Sequence, residues 1–265
     1  MYQFTYHRPA NLSAAVAQLA ADADAKLLAG GQTLLPTMKQ RLAAPSAIID
    51  LGKIAELAGV SRDGETIVIG AMTRHADVAT NAAVHQAIPA LAALAEDIGD
   101  PQVRNRGTIG GSLANNDPAA DYPAAVLALG ATIVTNSREM AAETFFKGLF
   151  ETSLGAGEII TKVRFPIPQK AAYVKFPNPA SRYALVGVFV AKTAGGVRVA
   201  VTGAGASGVF RASAIEAALA SNFSASALAG IKIAADGLNS DIHADAAYRA
   251  HLIGVLAKRA VAAAG

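Results

Sequence analysis

Two short runs in this chain combine adjacent glycines with small polar side chains: Ala29-Gly30-Gly31-Gln32-Thr33-Leu34-Leu35 and Thr108-Ile109-Gly110-Gly111-Ser112-Leu113-Ala114. A glycine pair removes two Cβ atoms and admits backbone angles closed to other residues, so main-chain N–H groups are free to converge on a phosphate. Gln32, Thr33 and Ser112 add side-chain donors. A single Gly-Gly is also what an ordinary turn or helix entry contains. Two such runs point to one extended anionic ligand held at two places.

To present its loop, each run must follow one element and open another. Before the first run, Asn11 caps a predicted helix over 12–19, which lies between strands at 3–6 and 25–29. After it, 34–42 is predicted as a helix with Pro36 in its first turn, where the missing N–H is tolerated, and with its positive dipole end facing the loop. A strand at 47–51 closes a small α/β unit, residues 1–54. The second run lies within a unit spanning 55–169. Here a hairpin over 59–70 turns at Asp63-Gly64, helices follow at 74–80 and 84–97, and Asp100-Pro101 breaks the pattern just before the glycines. Downstream come a helix over 122–130 ending at Gly130, a strand at 131–135, and a period-two strand over 158–166 that Pro166 stops. From 170 to 265 the pattern changes to strands near 172–177, 184–192 and 197–202, then helices near 211–220, 224–229 and 245–263, a separate α+β unit.

Composition narrows the chemistry. Cysteine is absent, which removes disulfides, iron–sulfur ligation, thiolate zinc sites and cysteine nucleophiles from this chain; any metal cluster must sit on a partner. The 23 basic and 20 acidic residues are interspersed, without a basic block or interleaved aromatics, so the +3 net charge reads as a solvated surface and no nucleic acid is expected. Residues 1–9 lack a basic stretch followed by an apolar one, and no apolar run reaches bilayer length, so a cytoplasmic protein without a membrane span is expected. His7, His75, His85, His243 and His251 form no i,i+4 metal pair and receive no chemical role; neither a G-x-S-x-G elbow nor a P-loop lysine is present.

Two other features have structural readings. Gly203-Ala204-Gly205-Ala206-Ser207-Gly208 matches G-x-G-x-x-G, but the stretch 222–233, where a ribose-binding acid belongs, has none, and the preceding strands look antiparallel. A tight packing turn is preferred there over an NAD site. Asp117, in Asn115-Asn116-Asp117-Pro118, reads as an Asx turn and cap rather than a catalytic acid. Arg104 and Arg106 keep three readings: neutralising a phosphate, lining an interface, or standing solvated.

Taken together, AGGQTLLPTMKQRLA at 29–43 and RNRGTIGGSLANNDPAADYPAA at 104–125 closely resemble the paired motifs of the FAD-binding medium subunit of molybdenum hydroxylases, the carbon monoxide dehydrogenase and xanthine dehydrogenase family. The likeness runs over nearly the whole chain. It implies an α+β architecture: a two-lobed FAD-binding domain of the vanillyl-alcohol-oxidase (PCMH) type, then a smaller α+β C-terminal domain. It implies that Ala29, Gly30, Gly31, Gln32, Thr33 and Leu34 wrap the FAD diphosphate with backbone donors, and that Thr108, Gly110, Gly111 and Ser112 approach it from the other lobe. By the same likeness Asp121 accepts from FAD hydroxyls and Ile160 is the aliphatic residue against the flavin or adenine. Lys175 and Tyr183, in KFPNPASRY, match residues near the isoalloxazine. Thr33 stands where serine is commoner in the family, Ser112 where asparagine often occurs, and Asn115-Asn116 where a histidine-bearing pair is frequent.

The function implied is electron transfer through FAD, with a small iron–sulfur subunit carrying [2Fe-2S] clusters and a large molybdopterin subunit as partners, in a dimer of heterotrimers. No catalytic side chain and no metal ligand is expected on this chain. Substrate choice lies with the large subunit, so carbon monoxide, aldehydes, purines and N-heterocycles all fit. A self-sufficient flavin-dependent oxidase, a nucleotide-binding assembly or chaperone subunit that never cycles its flavin and, from 203–208, an NAD-dependent dehydrogenase are the rival readings.

Overall fold

Where burial alternates, and where it does not, decides the layers of this chain. The computed structural model describes all of residues 1–265. In the first lobe β1 (Thr5–His7), β2 (Lys26–Leu28) and β3 (Ala47–Asp50) form a parallel sheet in the order β1-β3-β2, connected through α1 (Leu12–Ala21) and α2 (Leu34–Lys39). Ala47, Ile48 and Ile49 of the central strand are all buried, as a covered parallel strand requires. Asn11 caps α1, its side-chain oxygen accepting from the Ala14 N–H at 2.9 Å. The helix predicted over 34–42 stops at Lys39, because Arg41 turns to φ +61°.

The second lobe contains β4 (Val60–Asp63), β5 (Thr66–Gly70), α3 (His75–Thr80), α4 (Ala82–Ala87), α5 (Pro89–Glu96), α6 (Pro101–Arg104), α7 (Ile109–Asn115), α8 (Tyr122–Ala128), β6 (Thr132–Thr135), β7 (Glu139–Ala141), α9 (Ala142–Phe145), β8 (Phe146–Gly148), β9 (Glu151–Thr152) and β10 (Ile160–Pro166). Its antiparallel sheet runs β4-β5-β10-β6-β7. The central strand buries Val163 and Phe165 completely; such side chains contribute about 1.5–3 kcal/mol each by leaving water. In the first hairpin Asp63 pairs with Thr66, so the turn is Gly64-Glu65, one residue later than predicted, with Gly64 at φ +56°. The predicted helix 84–97 is two helices, since Pro89 carries no N–H and opens a new one after Ile88. Every residue of α8 is buried.

The third region comprises β11 (Lys170–Pro177), β12 (Ala184–Thr193), β13 (Gly196–Thr202), β14 (Phe210–Arg211), α10 (Ser213–Ser221) and α11 (Ala246–Ala263), its strands antiparallel in chain order. The helix predicted over 224–229 is a 3₁₀ turn, Ala225–Leu228. From Ala184 to Ala191 every residue of β12 is buried. Val186, Val188 and Val190 face the α10–α11 layer, whereas Phe189 and Ala191 join the core of the second lobe. This sheet therefore shares its core with the preceding lobe on one face and owns the other.

Residues 203–208 form a packing turn. Gly203 has φ +80°, and a Cβ there would stand 2.4 Å from the Ala184 carbonyl oxygen; its own carbonyl accepts from buried Arg249 at 3.0 Å. A Cβ on Gly205 would meet the Gly208 carbonyl at 2.4 Å. No helix is long and apolar enough to cross a membrane.

Candidate functional site

The first glycine run leaves β2 at Ala29 and enters α2 at Leu34. Gly31 makes the bend with φ +73°. Thr33 does not cap the helix with its side chain, and Pro36 has no N–H to satisfy. The consequence is a row of five successive backbone N–H groups, Gly30 through Leu34, with no acceptor inside the protein; internal bonding resumes with Leu35 N–H donating to the Gly31 carbonyl. Such a row is an anion-binding concavity.

The second run is built differently. Thr108 caps α7 by accepting from the Gly111 N–H at 3.1 Å, the Gly110 N–H donates to the Ala71 carbonyl at 2.8 Å, and that of Ile109 donates to Thr73 at 3.1 Å. The Ser112 N–H donates to the Thr108 carbonyl. These N–H groups are all engaged, so this run supplies a wall and the Ser112 hydroxyl rather than a second cradle of main-chain donors.

The glycines serve close packing as much as freedom of the backbone, Gly110 within the second lobe and Gly111 against the first. A Cβ on Gly110 would lie 2.5 Å from the Ala71 Cβ, and one on Gly111 would lie 3.3 Å from the Ala29 Cβ. The two runs thus touch, and between them and the segments 98–103, 154–160 and 181–183 lies a cleft of about 590 Å³.

Residues 29–34, together with Thr108, Gly110, Gly111, Ser112, Asp121, Ile160 and Tyr183, line this cleft. Lys175 does not: its side chain is buried behind Asp121, with Nζ 3.1 Å from Asp121 Oδ1. Tyr173 donates its hydroxyl to the same oxygen at 2.6 Å. Oδ2 of Asp121 has no partner in the protein. Burial pushes the Asp121 carboxyl up to about 6, with the Lys175 ammonium and the Tyr173 hydroxyl pulling the other way. Tyr183 is 51% exposed at the rim, on a turn held by Asn178 Oδ1, which accepts from the Ala180 N–H.

Two lining residues escaped the sequence reading. His75 is buried, its ring 5.3 Å from that of Tyr122, and burial with nearby Arg104 holds its imidazole down to about 4, so it is neutral. Glu158 accepts from Arg138, Thr135, Ser137 and the Gly155 N–H, the Arg138 guanidinium being the largest cause of a carboxyl held down to about 2. Neither sits in a local motif: apart from the Gly155 N–H, the partners of Glu158 lie twenty or more residues away, and the burial of His75 depends on the fold. Asp117 forms the expected Asx turn, accepting from the Ala119 N–H at 2.9 Å.

The model of the FAD binding domain in molybdopterin dehydrogenase matches residues 2–168. Over 99% of this chain and 97% of the relative, the sequence is 36% identical to the carbon monoxide dehydrogenase medium chain of Hydrogenophaga pseudoflava. It is 37% identical to the nicotine 6-hydroxylase medium subunit of Paenarthrobacter nicotinovorans, over 98% of this chain and 96% of the relative. Among solved structures, carbon monoxide dehydrogenase from H. pseudoflava matches with a TM-score of 0.88 and 38% identity over 99% of this chain and 97% of that one. The chain belongs to the family of FAD-binding domains of molybdopterin dehydrogenases: it is an FAD-dependent oxidoreductase subunit with that family's two-lobed α+β fold.

Proposed function

We propose that this chain is the electron-transfer subunit of a heterotrimeric molybdenum hydroxylase. In this reading a small subunit with [2Fe-2S] clusters delivers electrons released at a large molybdopterin subunit, an external oxidant collects them from this chain, and two heterotrimers pair. One observation carries it: five partnerless backbone N–H groups line a cleft between two lobes, in a chain with no cysteine to hold a cluster of its own.

The residues fit FAD. When bound, FAD supplies the redox chemistry, and the protein supplies binding, orientation and electrostatics. The N–H groups of Gly30 to Leu34 hold the diphosphate charge, and the Ser112 and Thr33 hydroxyls add donors at its sides. Asp121 Oδ2 accepts a cofactor hydroxyl. Ile160 covers a ring face, and Tyr183 shields the exposed rim from water. Of the ionisable lining groups, His75 is buried with its basicity depressed, Glu158 is held in its ion pair, and Asp121 has Oδ1 engaged by Tyr173 and Lys175 and Oδ2 given to the cofactor in this reading, which leaves none of the three to take a proton from an organic substrate. That arrangement favours electron transfer over a self-sufficient flavin oxidase. The closed packing of Gly203 and Gly205 disfavours an NAD site there.

Co-purification with the neighbouring subunits tests the proposal. The complex is expected to show iron–sulfur and flavin absorbance, with the flavin bleached by electrons from the large subunit's substrate; the chain alone is expected to stay yellow and to oxidise no aldehyde, purine or carbon monoxide. Turnover by the chain alone would install the oxidase reading instead. Flavin that stays oxidised in the working complex would remove the electron-transfer role.

A further inference from the structure

Lys175 and Asp121 come from different regions of the fold and meet behind the cleft wall. Their side chains are 1% and 6% exposed, and the Lys175 ammonium also donates to the Asp97 carbonyl at 2.6 Å and lies 3.4 Å from its carboxylate. Two residues earlier on the same face of β11, Tyr173 donates to Asp121 Oδ1. Room for that phenol is made on the neighbouring strand, where a Cβ on Gly187 would stand 2.3 Å from the Tyr173 hydroxyl oxygen. Asp121 opens α8 without its carboxylate capping the helix. Oδ1 is therefore occupied from behind, and Oδ2 is left toward the cleft that Asp121 lines.

We propose that Lys175 is a positioning residue for FAD: from β11 it keeps the Asp121 carboxylate ionised and fixed, so that Oδ2 accepts a hydroxyl of the bound cofactor, and the C-terminal region sets FAD affinity without touching FAD. The inference rests on the reading of the cleft as the FAD site. The ionisable groups facing Asp121 are Tyr173 and Lys175 on β11, Asp97 at the end of α5, Tyr122 beside it on α8, and Tyr183 with Asp117 at the rim. Only Lys175 is cationic. Burial already favours the protonated carboxyl, and Asp97 adds to that. Without the ammonium, Asp121 keeps its proton at neutral pH and the charge-assisted acceptor becomes a weaker neutral one.

The test titrates FAD into the deflavinated full-length chain from pH 5 to 9, following flavin fluorescence, for wild type, K175M, K175R, D121N and D121N/K175M. K175M should bind about tenfold more weakly than wild type near pH 7, with the gap closing toward pH 9 as Asp121 ionises; K175R should recover most of the loss. In the D121N background K175M should change affinity little, and that double variant leaves no lone buried charge, so it folds even where K175M does not. A K175M deficit that is equal at every pH, or one that adds in full to D121N, overturns the inference. Wild-type chain that takes up no FAD at any pH overturns instead the reading of the cleft.

Discussion

Gly30 lies directly against the Arg106–Gly107 peptide: a Cβ at position 30 would stand 2.3 Å from the Arg106 carbonyl oxygen and 2.6 Å from the Gly107 Cα. The first glycine of the first run is thus kept small by the other lobe rather than by a ligand. Backbone cannot yield as a side-chain end can, so Gly30→Ala should separate the two runs. The expected cost is about 1–3 kcal/mol of stability, together with loss of bound flavin. Gly31 differs, because its constraint is φ +73° and its nearest neighbour is the flexible end of Leu35. Gly31→Asn, a residue tolerant of positive φ, should keep its flavin. Thermal melts and flavin-to-protein ratios on both variants decide the matter; equal behaviour would mean that Gly30 is not a lobe contact.

Asp121 gives a pH signature in two directions. Its folded carboxyl is raised to about 6 from the ordinary value of 3.8, so the group stabilises the FAD-free chain at low pH, and that contribution is lost as pH rises through about 6. If Oδ2 accepts from FAD as proposed, binding requires the ionised form and should weaken as pH falls through the same point. D121N should remove both trends when compared with wild type. Asp121→Ala should weaken FAD by about 1.5–3 kcal/mol, the worth of a hydrogen bond to a charged group. Isothermal titration across pH 5 to 8 measures this; a D121A affinity equal to wild type would take Asp121 out of the site.

Glu158 acts with the opposite sign. Its folded carboxyl, held down to about 2 from 4.5 chiefly by Arg138, contributes stability that is complete above pH 4.5 and is lost as pH falls toward 2. The side chain is 5% exposed and ties the 153–159 turn to β6 immediately before Ile160. Glu158→Gln is expected to cost about 1–3 kcal/mol at pH 7, since it leaves Arg138, Thr135 and Gly155 with a poorer acceptor. The difference from wild type should shrink on acid titration below about pH 4. Denaturant unfolding at pH 7 and pH 3 checks it, and a gap that stays constant would show that the carboxylate charge is not what stabilises the turn.

Much of the cleft was legible because its loops are local. Gly30 to Leu34 and Thr108 to Ser112 announce themselves by glycine pairs between apolar segments, and both runs line it. Two things were not legible. That α7 uses its own N–H groups depends on Ala71 and Thr73, more than thirty residues away in sequence, and nothing in the run itself distinguishes a loop that offers donors from one that has spent them. Lys175 looks like a strand-end surface lysine until β11 is laid beside α8, when its ammonium proves to be the counter-charge to Asp121. The strand β12 shows the limit from the other side: its unbroken apolar run Ala184 to Ala191 marks a strand buried on both faces. Only the fold reveals that one of those faces belongs to the second lobe.

Arg249 anchors the packing turn at 203–208, away from the residues that line the cleft. It is 2% exposed, and its guanidinium donates to the Leu185 carbonyl at 2.6 Å, to Gly203 at 3.0 Å and to Asp241 at 2.7 Å. Arg249→Met strands two buried carbonyls while Asp241, 45% exposed, turns to water; the expected loss is about 1–3 kcal/mol for each carbonyl left unsatisfied. None of these residues lines the cleft, so the protein that remains folded should carry a full complement of flavin. Gly205→Val should behave in the same way, because the carbonyl of Gly208 already stands where its Cβ would go. Melting temperature and flavin stoichiometry on the two variants are the measurements. If Gly205→Val left the fold intact and abolished dinucleotide binding, the turn would be a nucleotide site after all.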